Sequence, residues 1–267
     1  MFNSILVANR GEIASRVIQS AKRLGIETHT IFHHVDRFSP HVKAADFAHE
    51  IFAEVPVSAY LDIEQITGLA KSLKIESLHP GYGFLSENPT LPKSLEESGI
   101  VFIGPGSEIM EIMGDKLTAR QAAKKADIPI APSVEYDGNN QDFINKCAEI
   151  GYPLVIKASA GGGGKGMRIA FSENDFEELF NAAKNEAKNA FGDDRVFIEK
   201  YIEKPRHIEM QILADNHGNI IWLGERECSI QRRHQKIIEE APAVDIDEVE
   251  TQKVLTACVN LCESIKY

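Results

Sequence analysis

In the first third of the chain short apolar runs alternate with amphipathic stretches, and this alternation limits the possible folds more than any other feature. Residues 4–8 read as a buried strand. Residues 11–24 follow, with Ile13, Val17, Ala21 and Leu24 marking one helical face and Gly25 placed to end the helix. A strand over 28–32, a helix over 63–73, a strand over 75–78, helical character at 91–95 and a strand over 100–103 continue the pattern. Strands joined through helices pair in parallel by right-handed crossovers, which predicts an open α/β sheet covered on both faces. That domain ends near Gly104-Pro105-Gly106.

The remainder changes character. Residues 108–113 and 116–126 read as helices, and Ile128-Pro129-Ile130-Ala131-Pro132 breaks the pattern as a linker. A helix over 142–150 follows, then strands over 154–158 and 167–171, a helix over 175–190 and a strand over 196–201. Strands over 207–214 and 220–227 flank Asn216-His217-Gly218-Asn219, which is hairpin chemistry. This order predicts an antiparallel α+β module and no continuation of the parallel sheet. A last helix over 249–265 lines up Val254, Leu255, Cys258, Leu261, Cys262 and Ile265 on an apolar face. Nothing follows to cover that face, so the sequence reads as a piece of something longer.

Composition excludes several classes of function. With 43% hydrophobic and 26% charged residues over 267 positions, the chain can bury a substantial core. A net charge of −11 argues against a nucleic-acid partner held by bulk positive charge. Cys147, Cys228, Cys258 and Cys262 are too sparse for a disulfide scaffold. Cys258 and Cys262 stand one helical turn apart without further ligands at metal-binding spacing, and read as small core-facing side chains. Neither a signal peptide nor a run of about 18 apolar residues is present. The expected setting is the cytoplasm, or an equivalent compartment such as the mitochondrial matrix, with no membrane partner.

The strongest local signal is Ala160-Gly161-Gly162-Gly163-Gly164-Lys165-Gly166. Consecutive glycines cost backbone entropy, and suit a place where the backbone approaches a ligand closely. Their N–H groups can form an anion-holding nest beside Lys165. A flexible surface loop is the competing reading. The match to GxGxxG fails in context, because Met167 to Phe171 is strand-like where a dinucleotide fold needs a helix. The P-loop spacing fails as well, and no HRD or DFG accompanies the loop. What survives is a glycine lid over nucleotide phosphates, with Lys157 in the preceding strand.

Several charges support that reading and several stay open. Lys157 stands inside Leu154-Val155-Ile156-Lys157-Ala158, where an ammonium needs a partner. A phosphate at ~4 Å and an effective dielectric near 20 is worth about 4 kcal/mol before desolvation. Lys116 offers a second cation, although spacing alone favours a solvated first-turn lysine. His207, Glu209 and Gln211 alternate with Ile208, Met210 and Ile212, which places the polar trio on one sheet face. Glu199, at a hydrophobic strand end, suits an adenine amine or a ribose hydroxyl. Arg232, Arg233, His234 and Lys236 form a locally basic segment, offset by Glu239 and Glu240.

Longer runs carry a family resemblance. Ile5 to Ala14 reads ILVANRGEIA, His79 to Asn88 reads HPGYGFLSEN, and Phe102-Ile103-Gly104-Pro105 and Met113-Gly114-Asp115-Lys116 follow. Lys157-Ala158-Ser159-Ala160 with its glycine loop, Glu199-Lys200-Tyr201, Pro205 to Glu209 and Glu225 to Pro242 complete the set. From end to end the chain resembles the biotin carboxylase component of biotin-dependent carboxylases, a branch of the ATP-grasp superfamily. The resemblance implies a Rossmann-like (pre-ATP-grasp) α/β domain with a parallel sheet over 1–114 and a helical linker over 115–131. An ATP-grasp lid subdomain over 132–203 and the start of an incomplete α+β ATP-grasp C-terminal subdomain over 204–267 would follow.

It also implies a ligase that uses ATP and bicarbonate to carboxylate biotin through carboxyphosphate. By similarity Lys116 and Lys157 would hold ATP phosphates under a lid containing Gly163, Gly164 and Gly166. Glu199, Lys200, Tyr201 and Ile202 would hold the adenine. His207, Gln231 and His234 would line the ribose and triphosphate, Lys236 would bind bicarbonate, and Tyr82 would lie near the biotin ring. The implied partners are a biotin carboxyl carrier domain, a carboxyltransferase subunit and a second copy of the chain. The implied Mg²⁺ ligands and the base for bicarbonate are expected beyond Tyr267, so the chain is expected to lack turnover alone. A ligase of the carbamoyl-phosphate type is the runner-up, disfavoured by the HPGYGF and QRRHQK runs. A non-catalytic nucleotide-binding module is the alternative outside enzymes. The acyl-CoA or keto acid carboxylated by the holoenzyme stays open.

Overall fold

The computed structural model describes residues 2–136, 140–159, 167–232 and 235–267. They divide into two compact units, residues 1–111 and 112–267.

The first unit runs β1 (Ser4–Val7), α1 (Gly11–Arg23), β2 (Glu27–Phe32), α2 (Pro40–Ala44), β3 (Phe47–Glu50), α3 (Pro56–Ala59), α4 (Ile63–Ser72), β4 (Ser77–His79), α5 (Thr90–Glu96) and β5 (Val101–Phe102). Its five strands form one sheet in the order β3-β2-β1-β4-β5, parallel at every pairing. One face buries Leu6, Ile31 and Leu78 against Tyr60, Ile66, Leu91 and Leu95. Val7 on the other face packs against Ala14 and Ile18 of α1. The buried stripe of α1 is therefore Ala14, Ile18 and Ala21, shifted by one from the predicted face, and Leu24 is exposed. Small Ala14 lets the helix approach the sheet, while Ile13 and Val17 flank the contact half-buried. Strand β3 carries no apolar run to reveal it. It is an edge strand with mostly exposed side chains, held by pairing to β2.

The chain order reverses at β1, which lies between β2 and β4. In open α/β sheets such a switch opens a crevice at the carboxyl ends of the strands. Here it brings Asn9-Arg10-Gly11 beside His79 to Gly83.

The second unit takes up α6 (Ser107–Gly114), which begins before the division, then α7 (Lys116–Lys125), β6 (Ser133–Glu135), α8 (Asn140–Ile150), β7 (Leu154–Ala158), β8 (Arg168–Ala170), α9 (Glu173–Phe191), β9 (Val196–Lys200), β10 (Ile208–Ala214), β11 (Ile220–Arg232), β12 (Gln235–Glu240) and α10 (Glu248–Ser264). Strands β6-β9-β7-β8 form an antiparallel sheet, and β10-β11-β12 form another. The predicted change from parallel to antiparallel architecture is what the structure shows. Period-two alternation on β7 sends Leu154, Ile156 and Ala158 into a core with Phe143 of α8 and Phe176 and Phe180 of α9. Val155 and Lys157 take the opposite face.

Two details depart from the sequence reading. Strand β11 runs on past the expected end at residue 227 to Arg232 and pairs with a further strand, β12, which the sequence reading did not contain. The hairpin expected at residues 216–219 does join β10 to β11, and its turn is organised by Asp215, whose carboxylate accepts the His217 and Asn219 amides at 2.8 and 3.0 Å. A register break between Met210 and Ile212 interrupts the expected alternation. Gln211 consequently turns its amide to the Ile212 carbonyl, 3.1 Å away, and leaves the polar set. Among the described residues no helix is long and apolar enough to cross a membrane.

Candidate active site

Helix α7 starts on Asp115, whose carboxylate caps the Leu117 and Thr118 amides at 2.9 and 3.0 Å. That cap sets the helix phase, and Lys116 and Arg120, four residues apart, share one face. On the sheet, Val155 pairs with Glu199 and Lys157 with Phe197, so Lys157 and Glu199 are diagonal neighbours on the face away from the aromatic core. Four charged groups meet there. The buried Glu199 carboxylate is paired by Arg120 on Oε1 and Lys157 on Oε2. Lys116 Nζ donates to the Ala158 carbonyl at 3.1 Å. Burial, together with the repulsion of Lys157, holds the Lys116 ammonium below the usual lysine range, with Glu199 opposing. The fully buried Ser159 hydroxyl has no hydrogen-bond partner among the described residues. An unmatched buried hydroxyl beside convergent ammonium groups suits a polyanion.

Of the other residues expected around a nucleotide, Lys200 is committed elsewhere. Its ammonium donates to the Gly151 and Tyr152 carbonyls at 3.0 and 2.9 Å. The Tyr201 amide donates to the Pro153 carbonyl, and Ile202 is exposed. Glu199, expected to reach an adenine or ribose group, has both carboxylate oxygens taken by cations. Gly163, Gly164, Gly166 and His234 lie outside the described residues.

The three-stranded sheet carries a second polar cluster. Glu209 of β10 takes Lys236 of β12 and Arg226 of β11, and Arg226 also reaches Glu239 at 2.9 Å. Burial works against the Glu209 carboxylate, but Lys236 and Arg226 outweigh it and hold it below the usual range. The bond to Glu209 in turn pushes the Lys236 ammonium up. His207 Nδ1 lies 2.7 Å from the Gln231 amide, and its Nε2 lies 3.7 Å from Glu209. The structure thus gathers His207, Gln231 and Lys236, and adds Glu209 and Arg226 as their supports. Glu209, Cys228 and Glu239 bring three metal-ligating atoms within 4.8 Å of one another. Their carboxylates are already matched by Arg226 and Lys236, and a buried thiol is a soft donor, so this set does not fit Mg²⁺, which takes oxygen ligands.

At the switch point of the first unit, Asn9 is 2% exposed and acts as a clamp. Its amide donates to the Pro80 and Tyr82 carbonyls at 2.7 and 2.8 Å, and its Oδ1 accepts the Arg10 amide at 2.8 Å. Gly81 adopts φ +67°, and a Cβ there would lie 2.6 Å from the Asn9 amide nitrogen, so only glycine fits. The His79 Nδ1 accepts the Gly81 amide at 2.9 Å. These bonds hold up Tyr82, which is 61% exposed and donates its hydroxyl to Glu12 at 2.5 Å. That bond pushes the Tyr82 phenol up.

Arg120 and Glu12 carry no mark that sequence reasoning used. The signal for Arg120 was its four-residue spacing from Lys116 on one helix.

Residues 1–110 match the family described as biotin carboxylase, N-terminal domain, and residues 115–267 match the carbamoyl-phosphate synthase L chain, ATP binding domain. The chain belongs to the biotin carboxylase family. It is 47% identical over its whole length to the propionyl-CoA carboxylase alpha chain of Ruegeria pomeroyi and 45% identical to the biotin carboxylase of Haemophilus influenzae. The biotin carboxylase relationship extends to structure. The biotin carboxylase domain dimer of Hydrogenobacter thermophilus 2-oxoglutarate carboxylase, solved with MgADP, ADP and bicarbonate, superposes with a TM-score of 0.94 at 44% identity over the whole chain. A Campylobacter jejuni biotin carboxylase–nucleotide complex also gives 0.94, at 40% identity over the whole chain. The chain spans 39% and 60% of the two curated relatives and 59% and 60% of the two solved chains.

Proposed function

We propose that this biotin carboxylase chain binds ATP on the Lys116–Lys157–Glu199 cluster and serves the ATP-dependent carboxylation of biotin by bicarbonate. In this reading a bicarbonate oxygen attacks the γ-phosphorus and ADP leaves; the resulting carboxyphosphate splits into phosphate and CO₂, and the CO₂ bonds a ureido nitrogen of biotin as that nitrogen's proton passes to the phosphate. Lys116 and Lys157 take the phosphates, Gly163, Gly164 and Gly166 belong to the lid, and Glu199 to Ile202 flank the adenine. His207, Gln231 and His234 are the residues this reading assigns to the ribose and triphosphate. Lys236, shared with Glu209, orients bicarbonate, and Tyr82 stands near the biotin. The biotin arrives on a carrier domain, and the carboxyl group leaves to a carboxyltransferase partner.

The observation that carries the reading is the convergence of Lys116 and Lys157 at the end of β7, where the Ser159 hydroxyl has no partner among the described residues. Phosphoryl transfer is mostly positioning and charge neutralisation, and a ligand phosphate would match the two ammonium charges. Mg²⁺, when bound to the nucleotide, adds neutralisation of the triphosphate. The described residues offer it no fitting ligand set.

The test is titration of the chain with ATP, followed by amide chemical shifts. Lys157→Met removes a charge-assisted contact worth about 1.5–3 kcal/mol, so the affinity falls roughly 10- to 100-fold. Shifts that cluster away from Lys116 and Lys157, with unchanged affinity in Lys157→Met, would refute the assignment. In the whole protein, labelled carbon from bicarbonate appears on biotin under this reading, and its absence there would favour the carbamoyl-phosphate type.

A further inference from the structure

We propose that Arg120 is a positioning residue for nucleotide binding. As the resident counter-ion of buried Glu199, it frees the Lys157 ammonium to turn toward a ligand phosphate. The inference rests on the reading of Lys157 as a phosphate ligand and assigns a role to a residue that itself touches no phosphate.

The two cations on Glu199 are not equivalent. Arg120 is locked. Its second guanidinium nitrogen donates to the Ala131 carbonyl at 2.7 Å and to Ser133 Oγ at 2.8 Å. The guanidinium also lies over the Phe197 ring, 5.7 Å from the centroid. Lys157 has Glu199 as its one anionic partner among the described residues. Its side chain is 33% exposed, against 18% for Arg120 and 9% for Glu199. One cation is thus built into the protein, and the other sits on a flexible stem at the solvent side of the same carboxylate.

A buried carboxylate stripped of its only cation is strongly unfavourable. With Arg120 in place, Lys157 can swing to a phosphate and leave Glu199 still paired. Without Arg120, the phosphate competes with Glu199 for a single ammonium. Arg120 therefore sets how much of the Lys157 charge is available to a ligand. Arginine suits the post because its planar fork keeps three contacts at once.

The experiment compares ATP and adenosine binding to the full chain by nuclear magnetic resonance titration. Arg120→Leu is expected to weaken ATP about tenfold or more, and to leave adenosine, which has no phosphate, within about twofold. Arg120→Lys restores most of the ATP affinity. In a Glu199→Gln background there is no charge to compensate, and Arg120→Leu then changes ATP affinity by less than about twofold. Should Arg120→Leu fail to fold, Arg120→Gln replaces it in the same cycle. Equal losses for ATP and adenosine, or the same loss in both backgrounds, would reduce Arg120 to a structural residue and overturn the proposal. Absence of ATP binding to the unsubstituted chain would instead sink the nucleotide reading on which it stands.

Discussion

Replacing Asn9 offers the sharpest check on how the HPGYGF turn is held. In Asn9→Ala the Pro80 and Tyr82 carbonyls lose donors at 2.7 and 2.8 Å, and the Arg10 amide loses its acceptor. An orphaned buried carbonyl costs about 1–3 kcal/mol and a partly exposed one about 1, so a loss of about 2–4 kcal/mol is expected. Asn9→Asp keeps the shape and the bond to Arg10, yet it aims an acceptor-only group at two carbonyl oxygens. It should be worse than alanine at neutral pH. The folded-state pKa of the new carboxyl would be raised above its unfolded value near ~3.9. Its penalty is therefore complete above the folded pKa and relieved as pH falls through it. The single tryptophan, Trp222, lies in the other unit. Unfolding of the first unit is better followed by hydrogen exchange of peptides covering residues 4–23 and 77–86. An Asn9→Ala change within about 0.5 kcal/mol of the parent, or Asp and Ala variants equal at every pH, would refute the clamp.

Gly81→Ala forces a left-handed backbone on a Cβ that meets the Asn9 side chain at 2.6 Å. It should cost about 2 kcal/mol or more in the same exchange assay, and less than additively with Asn9→Ala. Asp46 binds Lys22 at 2.8 Å and the Thr28 hydroxyl and amide at 2.7 and 3.0 Å, which lowers its carboxyl to about 2. Its contribution is present above pH ~4 and lost as pH falls toward 2. Solvent screening keeps it below about 1 kcal/mol, and urea titrations of Asp46→Asn across that window should lose the slope. Phe180 packs against Tyr136, Phe143 and Phe176 with ring centroids 5.2, 5.2 and 5.9 Å away. Phe180→Ala should destabilise the second unit by about 3–5 kcal/mol, read by Trp222 fluorescence during urea unfolding.

Much of the architecture is legible in residue order. Alternation of strand and helix announces the parallel sheet, and the later sequence of paired strands announces the antiparallel one. Strands without a buried face escape such reading. Phe47 to Glu50 and Gln235 to Glu240 show no apolar period, and their pairing partners alone make them strands. The α1 stripe was shifted by one position because packing rewarded a small residue, Ala14, over the larger Ile13.

Local sequence determined which residue types stand where: a lysine inside an apolar strand, an asparagine before a glycine turn, a cation one turn into a helix. It could not determine whom they meet, because a charge's partner depends on strand register and helix phase. Cross-strand register placed Lys157 diagonally from Glu199, and the phase of α7 brought Arg120 to the other carboxylate oxygen. Electrostatic energy in this buried site depends on distances between residues as remote in sequence as Arg120 and Glu199, 79 positions apart, and only the folded chain sets those distances.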